Sequence, residues 1–160
     1  MAERSRESAG RVLTPEEVLA LIPQQEPFRF IDEILELDSE HIVARYVFPE
    51  EADFYRGHFP GRPITPGVIL VETMAQAGVV AFGIYLYALE FSADEVEKML
   101  TVFTDASVDF SGEVLPGERV TTTAHVKFFR RKKLRARVEM RRDDGTVVCS
   151  GELSGMGVPR

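Results

Sequence analysis

The sequence predicts an α+β fold in which an antiparallel sheet wraps one long central helix. Three observations carry this. From Gly67 to Leu89 the chain is apolar almost throughout, which at helical rise makes a rod about 35 Å long. From Arg119 to Phe129 and from Leu134 to Met140 apolar and polar residues alternate, as in strands with one face covered. Strands and helices do not alternate in the way that builds a parallel sheet. The 160 residues fall within the usual size of one domain, so residues 13–160 are expected to share a single core.

Taken in order, Met1 to Val12 is polar and aperiodic and reads as a disordered or loosely attached tail. Thr14 can cap a helix, Pro15 suits its first position and Glu17 completes a capping box, so Thr14 to Ile22 is expected to be a short helix. Phe28 to Leu37 and His41 to Phe48, rich in Ile, Val and Phe and separated by Asp38-Ser39-Glu40, form a hairpin. Glu50 to Pro66 is a long loop stiffened by Pro60, Pro63 and Pro66, and loops so punctuated are usually functional. After the apolar helix, Ser92 to Leu100 is a second short helix and Thr101 to Phe110 a strand. In Arg119 to Phe129 one face carries Val120, Thr122, Ala124, Val126 and Phe128. Asp143-Asp144-Gly145 then turns the chain into a last strand, Thr146 to Met156.

An apolar run as long as Gly67 to Leu89 is also long enough to span a membrane. Glu72 and Gln76 argue against this, because a central acidic group costs about 3 kcal/mol in hydrocarbon. A buried core helix is the better solution: Ala75, Ala77, Gly78, Ala81 and Gly83 let a sheet approach its backbone. The lone cysteine, Cys149, is expected to pack as a small apolar residue, and Met1 to Ser8 lacks the apolar stretch of a secretory signal, so a cytoplasmic location is expected. A formal net charge of −7 argues against nucleic-acid binding. Charge is nevertheless uneven: Lys127 to Arg142 is strongly basic, with Arg130, Arg131, Lys132 and Lys133 at its centre.

Of the three histidines, His41 and His125 lie on or beside polar strand faces and read as solvent-exposed. His58 sits among Gly57, Phe59, Pro60, Gly61 and Pro63, where prolines fix the backbone and glycines permit unusual conformations. This is either a catalytic loop or a structural one. Pro66-Gly67 opens the central helix, whose first N–H groups point beyond its end. Glu72 is the sole charge in that helix. A buried carboxylate is costly unless partnered, and burial favours its protonated form. The alternative for Glu72 is a buried ion pair with Arg56 or Arg62.

The stretch GHFPGRPITPGVILVETMAQAG, Gly57 to Gly78, closely resembles the active-site segment of the FabZ-type 3-hydroxyacyl-ACP dehydratases, ACP being acyl carrier protein. PFRFIDEILEL, Pro27 to Leu37, resembles that family's first strand, and the similarity runs more weakly from Leu13 to Met156. The resemblance implies a hotdog fold and a dimer with the two central helices side by side, possibly assembled as a trimer of dimers. It implies His58 and Glu72 as the catalytic pair, drawn from different subunits, and Gly67 as backbone donor to the thioester carbonyl. Phe59, Pro66, Val68 and Gln76 are expected to contact substrate. Glu72 stands where related dehydratase/isomerase enzymes carry Asp, which favours dehydration without isomerisation.

The chemistry suits the residues. Dehydration of a 3-hydroxyacyl thioester removes a proton from C2 and protonates the hydroxyl leaving C3, so no cofactor or metal is expected. An imidazole can take the first proton and a carboxyl kept neutral by burial can give the second. Charge developing on the thioester oxygen would be met by the Gly67 N–H, and losing such a donor typically costs about 3 kcal/mol. Arg130 to Lys133 is either a docking surface for an acidic carrier or a solvated strand pair. The family's usual basic pair beside a Phe is replaced here by Asp109-Phe110-Ser111-Gly112-Glu113, so carrier docking could differ, or the substrate could be a coenzyme A thioester. A hydratase or thioesterase acting on acyl-CoA, or a non-catalytic acyl-binding subunit of the same fold, are the competing readings.

Overall fold

A computed structural model describes residues 10–160 of the chain. The loose segment expected at Met1–Val12 therefore lies outside the described residues up to position 9. At its end the Arg11 N–H donates to Ala88 O at 2.7 Å, fixing the chain against the central helix. Helix α1, Pro15–Leu21, starts as expected: Thr14 accepts from the Glu17 N–H, Glu17 accepts from the Thr14 N–H, and Pro15 fills the first turn. Its Val18 is fully buried.

Strands β1 (Glu33–Leu37), β2 (His41–Val47), β3 (Met99–Phe110), β4 (Arg119–Arg130), β5 (Lys133–Arg142) and β6 (Val147–Pro159) form one antiparallel sheet in the order β1-β2-β4-β5-β6-β3. Between them lie the short helices α2 (Phe54–Gly57) and α5 (Ala93–Glu97). The central helix runs from Gly67 to Glu90, and its middle packs on β2, β4, β5 and β6. This is the wrapped, hotdog arrangement. By length and hydropathy the helix could cross a membrane, but 72% of its most apolar window is buried within this chain. It is the core, not a span.

The central helix is not uniformly α. It consists of α3 (Gly67–Ala75), a π-helical segment (Gln76–Ala81) and α4 (Phe82–Glu90). The Phe82 N–H reaches back to Ala77 O, five residues away, the spacing of a π turn. Across α3 burial follows one face, with Leu70, Thr73 and Met74 inside and Val68 out; from Gln76 to Ala88 every residue is buried. Gly78 allows the close approach expected: a Cβ there would stand 3.0 Å from both Ala124 Cβ and Val138 Cγ2. Gly83 is not needed in this way, since its Cβ would meet nothing closer than 3.4 Å.

Three strand expectations are corrected. The first strand begins at Glu33, not Phe28, because the backbone of Phe28 and Phe30 bonds to the Gln76 side chain in place of a neighbouring strand. A bulge between Val126 and Phe128 reverses the faces of β4 beyond it. Phe129 therefore packs on Tyr87, with ring centroids 5.1 Å apart, while Phe128 faces the guanidinium groups of Arg130 and Arg135. The expected helix at Ser92 to Leu100 is shorter, and Met99 and Leu100 already belong to β3.

The β4–β5 hairpin turns on Arg131 and Lys132, both at positive φ, 50° and 63°. A two-residue turn with both centres left-handed favours Asn-Gly, and side chains such as these are strained in it. Replacing Arg131-Lys132 with Asn-Gly is expected to stabilise the chain by about 1 kcal/mol, a Tm rise of about 2–4 °C in a thermal melt.

Candidate active site

His58 follows α2, and its loop is bound to itself at every step. The His58 N–H donates to Phe54 O, Phe59 and Arg62 exchange backbone hydrogen bonds, and the Ile64 N–H donates to His58 O. Gly61 takes a φ of 76° that the tight return requires. Below the loop, Tyr55 and Thr65 share a buried hydroxyl bond of 2.6 Å, and the Thr65 N–H donates to Val114 O. These bonds leave the imidazole little freedom. Its Nδ1 lies 3.0 Å from Ile64 O. A carbonyl can only accept, so Nδ1 carries the proton and donates, which leaves the Nε2 lone pair free. The ring stacks on Phe59 at 4.0 Å, across a cis peptide bond, and Phe59 itself is half exposed.

Glu72 lies on α3, half-buried. Burial pushes its carboxyl up from the ordinary carboxylate value, and the hydrogen bond from Gln76 opposes that shift only in part. Neither cation considered for it is its partner: Arg56 pairs with Asp53 at 3.3 Å and Arg62 with Glu113 at 3.2 Å. Among the described residues Glu72 makes no ion pair. Its one side-chain bond is from Gln76 Nε2, at 2.9 Å. Gln76 is fully buried, and its amide also donates to Phe28 O and accepts from the Phe30 N–H. Both amide N–H groups are thus engaged and the oxygen accepts one bond. Gln76 ties Glu72 to the segment before β1.

Glu72 lines a cavity of about 60 Å³ whose other walls are Gln24, Ala75, Val79, Val80, Thr101 and Phe103. His58 is not among them. Within one chain His58 is held by the loop after α2 and Glu72 by α3.

At the start of α3, Pro66 is buried and the first helical bonds run from Ile69 and Leu70 to Pro66 O, so the Gly67 N–H has no acceptor among the described residues. The ring of Phe110 lies over Gly67, and a Cβ there would come within 3.1 Å of Phe110 Cε1. Val68 is 76% exposed and Phe110 53%, so the helix start and the end of β3 form an open apolar surface. Arg130 to Lys133 does not join this group. The hairpin tip lies at the far end of the central helix, where Tyr87 donates to Lys132 O and Lys132 sits over Phe91. Fifteen residues of helix separate Tyr87 from Glu72, about 22 Å. Glu113 is tied to Arg62 of the histidine loop.

Sequence reasoning missed Phe110 as the lid on Gly67, the Gln76 clamp, and Gln24. Nothing in the polar stretch Gln24-Gln25-Glu26 marks one amide as facing the central helix.

Residues 22–152 match the model of the FabA-like domain. A 3-hydroxyacyl-[acyl-carrier-protein] dehydratase FabZ from Streptococcus pyogenes serotype M3 is 34% identical over 140 residues, 86% of this chain and 94% of that protein. Among solved structures, the dehydratase heterocomplex ApeI:P from Xenorhabdus doucetiae superposes with a TM-score of 0.70 at 16% identity, covering 92% of this chain and 93% of that one. A thioesterase from Haemophilus influenzae superposes with a TM-score of 0.65 at 18% identity, covering 94% of each. At these identities the two structures share the fold alone with this chain.

Proposed function

The chain belongs to the FabZ-type 3-hydroxyacyl-ACP dehydratase family, and we propose that it converts 3-hydroxyacyl-ACP to trans-2-enoyl-ACP in fatty acid or related lipid or polyketide synthesis, with His58 as base and Glu72 as acid. The observation that carries this reading is the state of Glu72: a carboxyl without a cationic partner, pushed toward its neutral form by burial, held beside an otherwise largely apolar cavity. His58 supplies the complementary half. Its Nδ1–H is committed to Ile64 O, so Nε2 accepts the proton from C2. The C2–H electrons form the C2–C3 double bond, the C3–O bond breaks, and the Glu72 proton goes to the leaving oxygen to give water. Transient charge on the thioester oxygen is met by the Gly67 N–H.

His58 is absent from the cavity that Glu72 lines, which supports a site shared across a homodimer, either alone or in a trimer of dimers. The open edge β3, with Val102, Phe103 and Phe110 exposed, is the surface such a dimer would cover. Phe59 and Val68, both exposed, would then border the acyl chain. Arg130 to Lys133, distant from Glu72, is suited to steering an acidic carrier and not to holding its thioester arm. The expected compartment is the cytoplasm.

The test is complementation. His58→Ala and Glu72→Gln proteins, each assayed alone on a 3-hydroxyacyl-ACP for enoyl product, should be inert. Unfolded together and refolded at equal concentration, they should regain about a quarter of wild-type activity, because half of the dimers are mixed and each mixed dimer restores one of its two sites. A wild-type protein that leaves the thioester intact would remove the dehydratase assignment; an active wild type with an inert mixture would remove the shared site.

A further inference from the structure

The cavity beside Glu72 contains one polar group with no role so far. Among the described residues, Gln24 Oε1 is the buried side-chain polar atom that lacks a hydrogen-bond partner. Gln24 is also one of the residues that line the small cavity beside Glu72, whose remaining walls are the aliphatic side chains of Ala75, Val79 and Val80, with Thr101 and Phe103. A buried acceptor without a donor is destabilising, and native chains retain such groups where a ligand supplies the missing partner. The two residues come to the cavity wall from different elements, Gln24 from the segment after α1 and Glu72 from the central helix. The volume, about 60 Å³, is on the scale of a hydroxyl or a water, not of a longer chain.

We propose that Gln24 positions the hydroxyl that leaves: its Oε1 accepts the hydrogen bond of the substrate's 3-OH, turning the oxygen's lone pair toward the Glu72 carboxyl. This rests on the dehydratase reading. The 3-OH hydrogen points at Gln24, and the Glu72 proton adds to the same oxygen as the C3–O bond breaks. The water formed keeps its first hydrogen on Gln24 and carries its second from Glu72, so no further donor or acceptor is required. Gln24 is thus a reader of the 3-hydroxyl and gives the site a preference for hydroxylated over saturated acyl chains.

Binding is measured with two inert probes, the pantetheine amides of 3-hydroxybutanoate and butanoate, whose amide carbonyl does not acidify C2 enough for elimination. Wild type is expected to favour the hydroxylated amide about tenfold, the worth of one satisfied buried acceptor. Gln24→Met, of similar length but without the oxygen, should bind both amides alike, lower kcat more than it raises KM, and melt no lower than wild type, since it removes an unpaired buried acceptor. Gln24→Glu, which keeps an oxygen, should retain most of the preference. A wild type without preference, a Gln24→Met protein that keeps it, or a Gln24→Met protein that melts lower while Gln24→Glu also loses it, would each overturn the proposal. A preference lost in Gln24→Met from a wild type that dehydrates nothing would uphold Gln24 as the hydroxyl reader and sink the dehydratase reading alone.

Discussion

Glu72→Gln is expected to lower turnover of a 3-hydroxyacyl-ACP by about 100- to 10,000-fold, the range for removing a positioned proton donor. The same substitution should raise the melting temperature at neutral pH. Burial raises the folded pKa of Glu72, so the folded chain holds this proton more tightly than the unfolded one, and stability from this group falls as pH rises past the ordinary carboxylate value. Gln carries no such penalty, and its side-chain oxygen can still accept from Gln76 Nε2. The advantage of the variant should therefore shrink as the pH is lowered through that ordinary value, below which the carboxyl is protonated in both states. Melting curves at several pH values, run beside the turnover assay, check both halves. A variant that lost activity and stability together would assign Glu72 to the scaffold. His58→Ala should match the loss of activity, since it removes the base.

Gly78→Leu should be strongly damaging to the fold. The residue lies in the π segment facing β4 and β5, with Ala124 and Val138 already 3.0 Å from where a Cβ would be. A Leu side chain there must push the helix off the sheet along much of its length, at a cost of about 3 kcal/mol or more. That corresponds to a Tm fall of about 6–12 °C for a chain of this size. Gly78→Ala separates the causes: its tight contact is offset by about 1 kcal/mol of helix propensity, so it should melt near wild type. If Gly78→Leu melts near wild type as well, the helix and sheet are not in the contact described.

Most of the architecture was legible because each element repeats a period. Alternation in β4 and β5 marked one covered face, and the apolar Gly67–Leu89 run could only be a core once Glu72 and Gln76 excluded hydrocarbon. What was not legible depends on partners far along the chain. Phe28 to Asp32 has a strand's composition, yet the Phe28 carbonyl and the Phe30 N–H are taken by Gln76, 48 and 46 residues away, and bonding to β2 begins only with the Asp32 N–H. The bulge after Val126 adds one residue without a Gly to announce it, and so Phe128 and Phe129 exchange faces. In the site, His58 and Glu72 stood out because each is the wrong residue for a plain structural role where it sits. Only coordinates reveal that the Gln76 amide ties Glu72 to Phe28 and Phe30, and that Gln24 Oε1 is buried without a partner among the described residues.

The π segment sets a limit on how the length of this chain can vary. Residues after Ala81 are turned by about 100° relative to where an unbroken α-helix would carry them. Deleting any one position between Gln76 and Ala81 would restore regular pitch and rotate Tyr87 away from Phe129 and Lys132, which it now meets. Lineages of this protein can therefore shorten or extend the helix near Glu90, but a gap within those six positions would have to be matched by a second one elsewhere.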